Sequence, residues 1–263
     1  MKTKSIAAQI EQRSTLAGQA ATAAGRLLKE NYGKINMITK KGDRNYVTNV
    51  DIASEAFIVS RIFSRFPFDS ILAEEEKYPG GVSGFKWVID PLDGTHNFMY
   101  GIKDFGVSIA IEYNGEVVAG VIFLPMDNEL FSAVKNKGAF CNGKRIRVSR
   151  RPLNRSTLVY DSNLRTDEHH KVKHLFAFAQ AVFNLRMYGS SVRNLTMIAQ
   201  GKADVAVEFD DQPWDCAAGL LLIAEAGGKI TALEGKPWPA TPRGYVASNP
   251  VVHQKVLAIV RHS

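Results

Sequence analysis

Apolar residues recur at helical spacing from the start of the chain: Ile6, Ile10, Leu16, Ala20, Ala24, Leu27 and Leu28, with the pattern ending near Asn31 to Gly33. That period predicts a long amphipathic opening helix. A polar loop is expected around Lys40 to Asn45, then a second helix beginning near Asp51, burying Ile52, Ala56, Val59, Ile62 and Phe63 and stopped by Pro67. Asp51 at its start can be read as an N-cap. Ile71-Leu72-Ala73 and Trp87-Val88-Ile89 read as short apolar strands.

Further along, the pattern changes from helical to strand-like. Val107 to Tyr113 and Glu116 to Phe123 flank Asn114-Gly115, a hairpin signal. Strands at Glu129 to Val134 and Arg145 to Ser149 follow, with a turn at Asn142-Gly143, and Pro152 marks a lobe boundary. The second half then reads strand (Thr157 to Tyr160), helix (about His169 to Val182), strand (Leu185 to Tyr188), helix (Val192 to Gln200), strand (Val205 to Phe209) and helix (Asp215 to Ala226), capped by Gly227-Gly228. Neither an internal repeat nor a low-complexity linker separates modules. We therefore expect an α+β layered fold rather than a parallel doubly wound sheet, with an N-terminal lobe at 1–152 and a C-terminal lobe at 153–263 joined in one compact unit.

Composition changes this picture little. With 263 residues, 45% hydrophobic and 22% charged, the chain can bury a substantial core. Its longest apolar stretch, around Cys216 to Ala224, is too short to span a bilayer, and Lys2, Lys4, Glu11 and Arg13 interrupt any signal-peptide pattern, so a cytoplasmic location is expected. Cys141 and Cys216 have neither disulfide-framework nor metal-type spacing. The net charge of +7 is uneven, because Lys135 to Arg155 carries eight Lys and Arg residues and no acid. Such a run is either a solvated edge hairpin or a surface for a polyanion.

The chemistry concentrates in Asp90-Pro91-Leu92-Asp93-Gly94-Thr95, which follows the strand ending at Ile89. Two carboxylates three apart at a strand end can share one hard cation, and the amides of Gly94 and Thr95 can face an anion held by the same cation. Acidic residues after a strand also serve as turn formers and caps. Two more acidic segments accompany this one. Glu74-Glu75-Glu76 ends the strand Ile71-Leu72-Ala73, and Asp215 stands in the first turn of an apolar helix. Taken singly, the triplet reads as a solvated charge cluster and Asp215 as a helix cap.

Together these segments resemble the signatures of the inositol monophosphatase family, and they fall in that family's order. The matching residues are Leu72-Ala73-Glu74-Glu75, Trp87 to Thr95 with Asn97-Phe98, and Trp214-Asp215-Cys216-Ala217-Ala218-Gly219 followed by Glu225-Ala226-Gly227-Gly228. Lys41-Gly42 leading to Tyr46-Val47-Thr48-Asn49-Val50-Asp51 resembles the family's early motif, and Arg186-Met187-Tyr188-Gly189-Ser190-Ser191 its substrate-side loop. One departure is His96, where the commonest pattern has Thr.

The resemblance implies an αβαβα sandwich, usually a homodimer, and a Mg²⁺-dependent, lithium-sensitive phosphomonoesterase. If the acids converge, their mutual repulsion calls for divalent cations, and oxygen donors without His or Cys favour Mg²⁺ or Mn²⁺ over Zn²⁺. Residue by residue, Glu74, Asp90 and the Leu92 carbonyl would hold one metal, and Asp90, Asp93 and Asp215 a second. Glu74 and Thr95 would orient the attacking water, Asp51 would support the Thr95 hydroxyl or a third, weaker metal, and Lys41 would lie near the entrance. The Gly94 and Thr95 amides would hold phosphate, while Arg186, Ser191 and Glu208 would border the alcohol. The expected partner is a small phosphorylated substrate, first inositol 1-phosphate, with fructose 1,6-bisphosphate as the alternative and nucleic acid unlikely. A reading of another class makes the basic segment 135–155 a polyanion- or protein-binding surface.

Overall fold

The computed structural model describes residues 5–34, 38–42, 45–165, 168–237 and 244–262. Helix α1 (Ile6–Asn31) starts where the Ser5 hydroxyl accepts the Ala8 N–H. Its buried face is mostly alanine, namely Ala17, Ala20, Ala21 and Ala24, with Leu28 at the end. Small side chains there let the helix lie close to a sheet. Strands β1 (Ile38–Gly42) and β2 (Asn45–Thr48) form an antiparallel pair where the sequence pattern predicted a polar loop. Polar side chains do not prevent a two-stranded ladder whose backbone groups satisfy one another.

Helix α2 (Asn49–Arg65) begins two residues before the expected Asp51. Thr48 is the N-cap and Asp51 occupies the third helical position of a capping box, which corrects the reading of Asp51 as the cap.

A seven-stranded sheet follows: β3 (Ser70–Ala73), β4 (Phe85–Asp93), β5 (Gly106–Tyr113), β6 (Glu116–Leu124), β7 (Glu129–Val134), β8 (Gly138–Cys141) and β9 (Lys144–Arg145), hydrogen-bonded in chain order. The short helix α3 (Thr95–Met99) leaves β4. All neighbours are antiparallel except β3 and β4, so Ala73 and Ile89 end side by side on parallel strands. The predicted strand over 145–149 is reduced to Lys144–Arg145. Beyond it the chain leaves the sheet, and Val148 donates its N–H to Ala226 instead.

The remaining elements are β10 (Thr157–Tyr160), α4 (Glu168–Ala181), β11 (Asn184–Arg186), α5 (Ser191–Ala199), β12 (Val205–Glu208), α6 (Pro213–Glu225), β13 (Lys229–Ala232), β14 (Tyr245–Ser248) and α7 (His253–His262). Their sheet runs β11-β10-β12-β14-β13, parallel about β10 and antiparallel about β14. The pattern reading does not include β8, β13, β14 or α7.

Three apolar clusters define the layers. One joins α1 and α2 to the large sheet, through Leu28, Ile58, Ile62, Trp87 and Ile109. A second places α5 and α6 between the sheets, through Leu195, Ile198, Leu220 and Leu222 against Ile122 and Ala247. A third covers the far face of the small sheet with α4 and α7, through Phe178, Val256 and Leu257. The order is helices, sheet, helices, sheet, helices, the expected αβαβα sandwich. Among the described residues no helix is long and apolar enough to cross a membrane.

Candidate active site

In a regular strand, residues three apart face opposite sides of the sheet. Strand β4 escapes that rule. Asp90 pairs with Ser108 and Asp93 with Gly106, so β4 spends one residue more than its partner, a bulge centred on Pro91 and Leu92. Pro91 has no N–H to lose there, and its carbonyl accepts the Ser54 hydroxyl of α2 at 2.9 Å. The bulge brings the carboxylates of Asp90 and Asp93 together at the strand end. Gly94 then turns with φ of 83°, and a Cβ at that position would meet the Asp104 carbonyl at 2.8 Å, so the turn requires glycine.

Asp215 comes from another layer. Pro213 opens α6, Asp215 is its third residue, and its carboxylate accepts the Gln212 N–H at 2.6 Å. The Ser108 hydroxyl donates to the Trp214 carbonyl at 3.1 Å, docking this helix start on the large sheet. One oxygen each of Asp90, Asp93 and Asp215 then lies within 4.8 Å of the others. Burial, reinforced by the charges of Glu74, Asp93 and Asp215, holds the Asp90 carboxyl well above its ordinary value. Burial raises Asp93 to about 6 against hydrogen bonds from Ser190, Val192 and Ser191. Asp215 is raised well above the usual range by burial and by Asp211 and Asp93. Crowded buried carboxylates with only oxygen to offer fit a hard divalent cation, which would relieve the repulsion.

Glu74 follows Ala73, the last rung of β3, and its charge reaches both Asp90 and Asp215. It lies outside the tight trio. The turn that carries it is fixed by Glu55, a buried residue of α2 that sequence reasoning passed over. Glu55 accepts the N–H groups of Glu75 and Glu76 and the Tyr78 hydroxyl, each at 2.9 Å. The Glu triplet is therefore a held turn rather than a loose charge cluster.

The Thr95 hydroxyl has two acceptors, Asp51 Oδ1 at 3.1 Å and the Leu92 carbonyl at 3.0 Å. Asp51 is fully buried and also accepts the Thr48 N–H at 2.9 Å, and burial raises its carboxyl despite the bonds from Thr48 and Thr95. Asn97 secures the same turn from behind, donating at 2.7 Å to the carbonyls of Asp104 and Tyr188. His96 is exposed and stacks on Tyr100 at 4.6 Å between centroids, directed to solvent. The side chain of Lys41 lies outside the described residues.

Beside the trio lies a cleft of about 260 Å³, lined on one side by Asp93 and Asp215 and on the other by Asp161, Glu208, Asp210 and Asp211. Ser191 is the first residue of α5, and its hydroxyl meets Asp211 at 2.9 Å. Glu208 ends β12 and accepts the Asn194 amide at 2.8 Å. Burial first, then Asp211 and Asp161, holds Glu208 well above its usual value. Arg186 is not brought to this cleft: it is exposed on the edge strand β11, bonded to Asn184 and the Leu185 carbonyl. Behind the wall, buried Lys171 of α4 ties Asp161 at 2.7 Å to Asp210 at 3.0 Å. Three acids within four residues, Glu208, Asp210 and Asp211, were the sequence signal for this wall. Ser190, within the substrate-side loop resemblance, is the N-cap of α5, and Lys171 gave no signal.

The basic segment divides. Lys135 pairs with Glu116, Lys137 with Glu11 at 2.6 Å, and Arg151 with buried Asp204 at 2.9 Å. Arg145, Arg147 and Arg150 are exposed and line a second cleft of about 460 Å³ near the end of α6.

Comparison with known proteins converges on one family. The inositol monophosphatase family model matches residues 9–263. The fructose-1,6-bisphosphatase/inositol-1-monophosphatase of Thermotoga maritima is 35% identical over 237 residues, 90% of this chain and 91% of that protein. The Nus factor SuhB of Escherichia coli strain K12 is 36% identical over 254 residues, 94% of each. The crystal structure of the extragenic suppressor protein suhB from Bartonella henselae superposes with a TM-score of 0.92 at 34% identity, covering 95% of this chain and 98% of that one.

Proposed function

The chain belongs to the inositol monophosphatase family, and from that premise we propose that it hydrolyses a small phosphate monoester with Mg²⁺, releasing the alcohol and inorganic phosphate by direct attack of water. The observation that carries the reading is the meeting of Asp90, Asp93 and Asp215 within 4.8 Å at a bulged strand end, directly before the Gly94-Thr95 turn. Unaided phosphate monoesters are so inert that enzymes supply accelerations of up to about 10²¹. Mg²⁺, when bound, supplies the positive charge that acidifies water and stabilises the phosphoryl and leaving oxygens.

The chain's own groups do the rest. Asp90, Asp93, Asp215, Glu74 and the Leu92 carbonyl would hold the cations. Because the Thr95 hydroxyl donates toward Asp51 or Leu92, its lone pairs remain to accept a hydrogen bond from the attacking water. Glu74, held on its turn by Glu55, aims the water in line with the ester bond and takes one of its protons as the new P–O bond forms and the ester P–O bond breaks, and the leaving oxygen is protonated from solvent to give the alcohol. The Gly94 and Thr95 amides face the phosphate oxygens. Ser191 and Glu208 border the alcohol.

Inositol 1-phosphate fits as substrate class, since a ring of hydroxyl donors suits an acceptor-lined cleft. Fructose 1,6-bisphosphate fits less well. Among the described residues lining the cleft there is no Lys, Arg or His to receive a second phosphate, and Arg186 lies elsewhere. The reading includes a homodimer, sensitivity to lithium and residence in the cytoplasm, to be checked by light scattering, LiCl titration and fractionation. The decisive experiment measures phosphate release from inositol 1-phosphate, fructose 1,6-bisphosphate and 3'-phosphoadenosine 5'-phosphate, with and without Mg²⁺. Absence of Mg²⁺-dependent release from all three would refute it.

A second reading, binding of a polyanion at the basic segment, rests on the exposed trio Arg145, Arg147 and Arg150 around one cleft. It predicts salt-dependent binding to single-stranded RNA. Charge reversal of those three arginines without effect on that binding would remove it.

A further inference from the structure

Arg193, the third residue of α5, is buried at 8% exposure, yet it belongs neither to the carboxylate trio nor to the lining of the cleft beside it. Its guanidinium makes two ion pairs in different directions. Nε lies 2.7 Å from Oδ1 of Asp104, in the segment between α3 and β5, and the other end meets Asp127, on the turn between β6 and β7. A planar guanidinium fixes two acceptors at set positions, which the point charge of an ammonium does not.

Asp104 is the wall against which the phosphate turn closes. Its carbonyl would stand 2.8 Å from a Cβ on Gly94, and it accepts the Asn97 amide at 2.7 Å. Two residues on, Gly106 pairs with Asp93 across β4 and β5, and a Cβ there would come within 3.1 Å of Val192 on α5. The α5 start is itself held by the Asp93 carboxylate through the N–H groups of Ser191 and Val192, while the Ser190 hydroxyl accepts the Arg193 N–H at 3.3 Å. A ring closes in this way: Asp93, the α5 start, Arg193, Asp104, Gly94 and back to Asp93. Within that ring the ion pair of Arg193 and Asp104 is the one link between two side chains. It can be opened by substitution without touching a cation ligand or the turn itself.

We propose that Arg193 is a positioning residue for phosphate: through Asp104 it holds the Gly94 and Thr95 amides where the phosphoryl oxygens bind, while touching neither substrate nor cation. The inference rests on the phosphomonoesterase reading above and deepens it, by assigning the geometry of the phosphate turn to an ion pair outside the carboxylate trio. A reacting group displaced by about 1 Å by a remote change can cost on the order of 100-fold in rate.

The test uses the full-length protein with Mg²⁺ and whichever of the three esters above is hydrolysed fastest. Arg193→Met and Asp104→Asn are each expected to lower kcat/KM and to raise the inhibition constant of inorganic phosphate, both by about tenfold or more, while the Mg²⁺ concentration for half-maximal activity moves by less than about threefold. The double variant should be no worse than the more damaged single one, because both changes open the same link. Asp127→Asn, at a partner 43% exposed, should stay within about threefold of the wild type. An arginine that only stabilised the fold would lower the melting temperature and leave the phosphate constant unchanged. Smaller losses in Asp104→Asn, a Mg²⁺ shift as large as the phosphate shift, losses that multiply in the double variant, or an equal loss in Asp127→Asn overturns the proposal. The Asp104 side chain is 29% exposed, so its variant decides even where Arg193→Met does not fold. If the wild type hydrolyses none of the esters, the phosphatase reading has failed, and calorimetric binding of inorganic phosphate with Mg²⁺ decides the turn alone. Binding weakened about tenfold or more by Asp104→Asn sustains the positioning role, and a smaller difference, or no binding by the wild type, overturns it.

Discussion

The carboxylate of Asp93 accepts the backbone N–H of Val192 at 3.2 Å, so a residue at the end of β4 also anchors the start of α5, 99 positions further on. The same carboxylate takes the Ser191 N–H at 3.1 Å and the Ser190 hydroxyl. Those bonds occupy most of its acceptor sites and aim what remains at Asp90 and Asp215. The helix start and the cation site therefore share one group.

Asp93→Asn is accordingly expected to do two things. Turnover should fall by at least about 100-fold, since even groups that only support metal ligands are worth about 10–100-fold. The fold should lose about 1–3 kcal/mol, because the new amide presents N–H to N–H at the α5 start. Phosphate release and thermal melting, read on the same preparation, separate the two. An unchanged melt would mean Asp93 does not hold α5.

Glu55→Gln tests whether the Glu74 turn is built from below. One amide oxygen cannot replace two carboxylate oxygens that serve the Glu75 and Glu76 amides and the Tyr78 hydroxyl. The Mg²⁺ concentration for half-maximal activity should rise by about 10–100-fold, with a smaller effect at saturating Mg²⁺. A Mg²⁺ titration of activity that overlays the wild type would show that Glu74 is positioned otherwise.

Without metal, the site should oppose folding as pH rises. Burial raises Asp93 to about 6 and Asp211 to about 7, while Asp90 and Asp215 are also raised. A carboxyl whose folded value exceeds its unfolded value near 4 favours the fold below about pH 4 and loses that contribution as pH climbs through the folded value. The metal-free protein should lose melting temperature between about pH 4 and 7 on account of these groups. The rise in melting temperature on adding Mg²⁺ should be largest above pH 7 and small near pH 5. Melting curves at fixed ionic strength check this, and a Mg²⁺ shift independent of pH would contradict it.

Lys171→Met removes the buried cation joining Asp161 and Asp210, the two loops of the alcohol-side wall. Breaking a buried pair this way costs about 3–5 kcal/mol. Since Lys171 lies behind the wall rather than at the trio, KM for the substrate should rise more than kcat falls. Steady-state kinetics that show the reverse would place Lys171 in the chemistry.

Gly94→Ala asks whether the phosphate turn tolerates a side chain. With φ of 83° and the Asp104 carbonyl 2.8 Å from the new Cβ, the turn must shift. Activity should fall at least about tenfold and stability by more than about 1 kcal/mol. A variant with wild-type kinetics would free the turn from its role.

Most helices and the long antiparallel strands were legible because their periods extend over many residues, as in Val107 to Tyr113 around Asn114-Gly115. The hairpin of β1 and β2 and the strands β13 and β14 were not, because a short strand draws its stability from neighbours rather than from its own pattern. At the site, Asp90, Asp93 and Asp215 stood out from their local motifs. Arg186, drawn from a loop resemblance alone, sits apart from the cleft, and Glu55 was hidden because a lone acid in a helix reads as an exposed one.

What the chain determined by itself is the supply of groups: acids at a strand end, a glycine able to turn left-handed, a helix opening on Asp215. Their local chemistry is written in consecutive residues. The bulge that turns Asp90 and Asp93 to the same side, the docking that adds Asp215, the bridge from Arg193 to Asp104 and the burial of Lys171 were decided only by packing layers together. Each depends on contacts between residues far apart in the chain, and no local pattern encodes the electrostatics such contacts create.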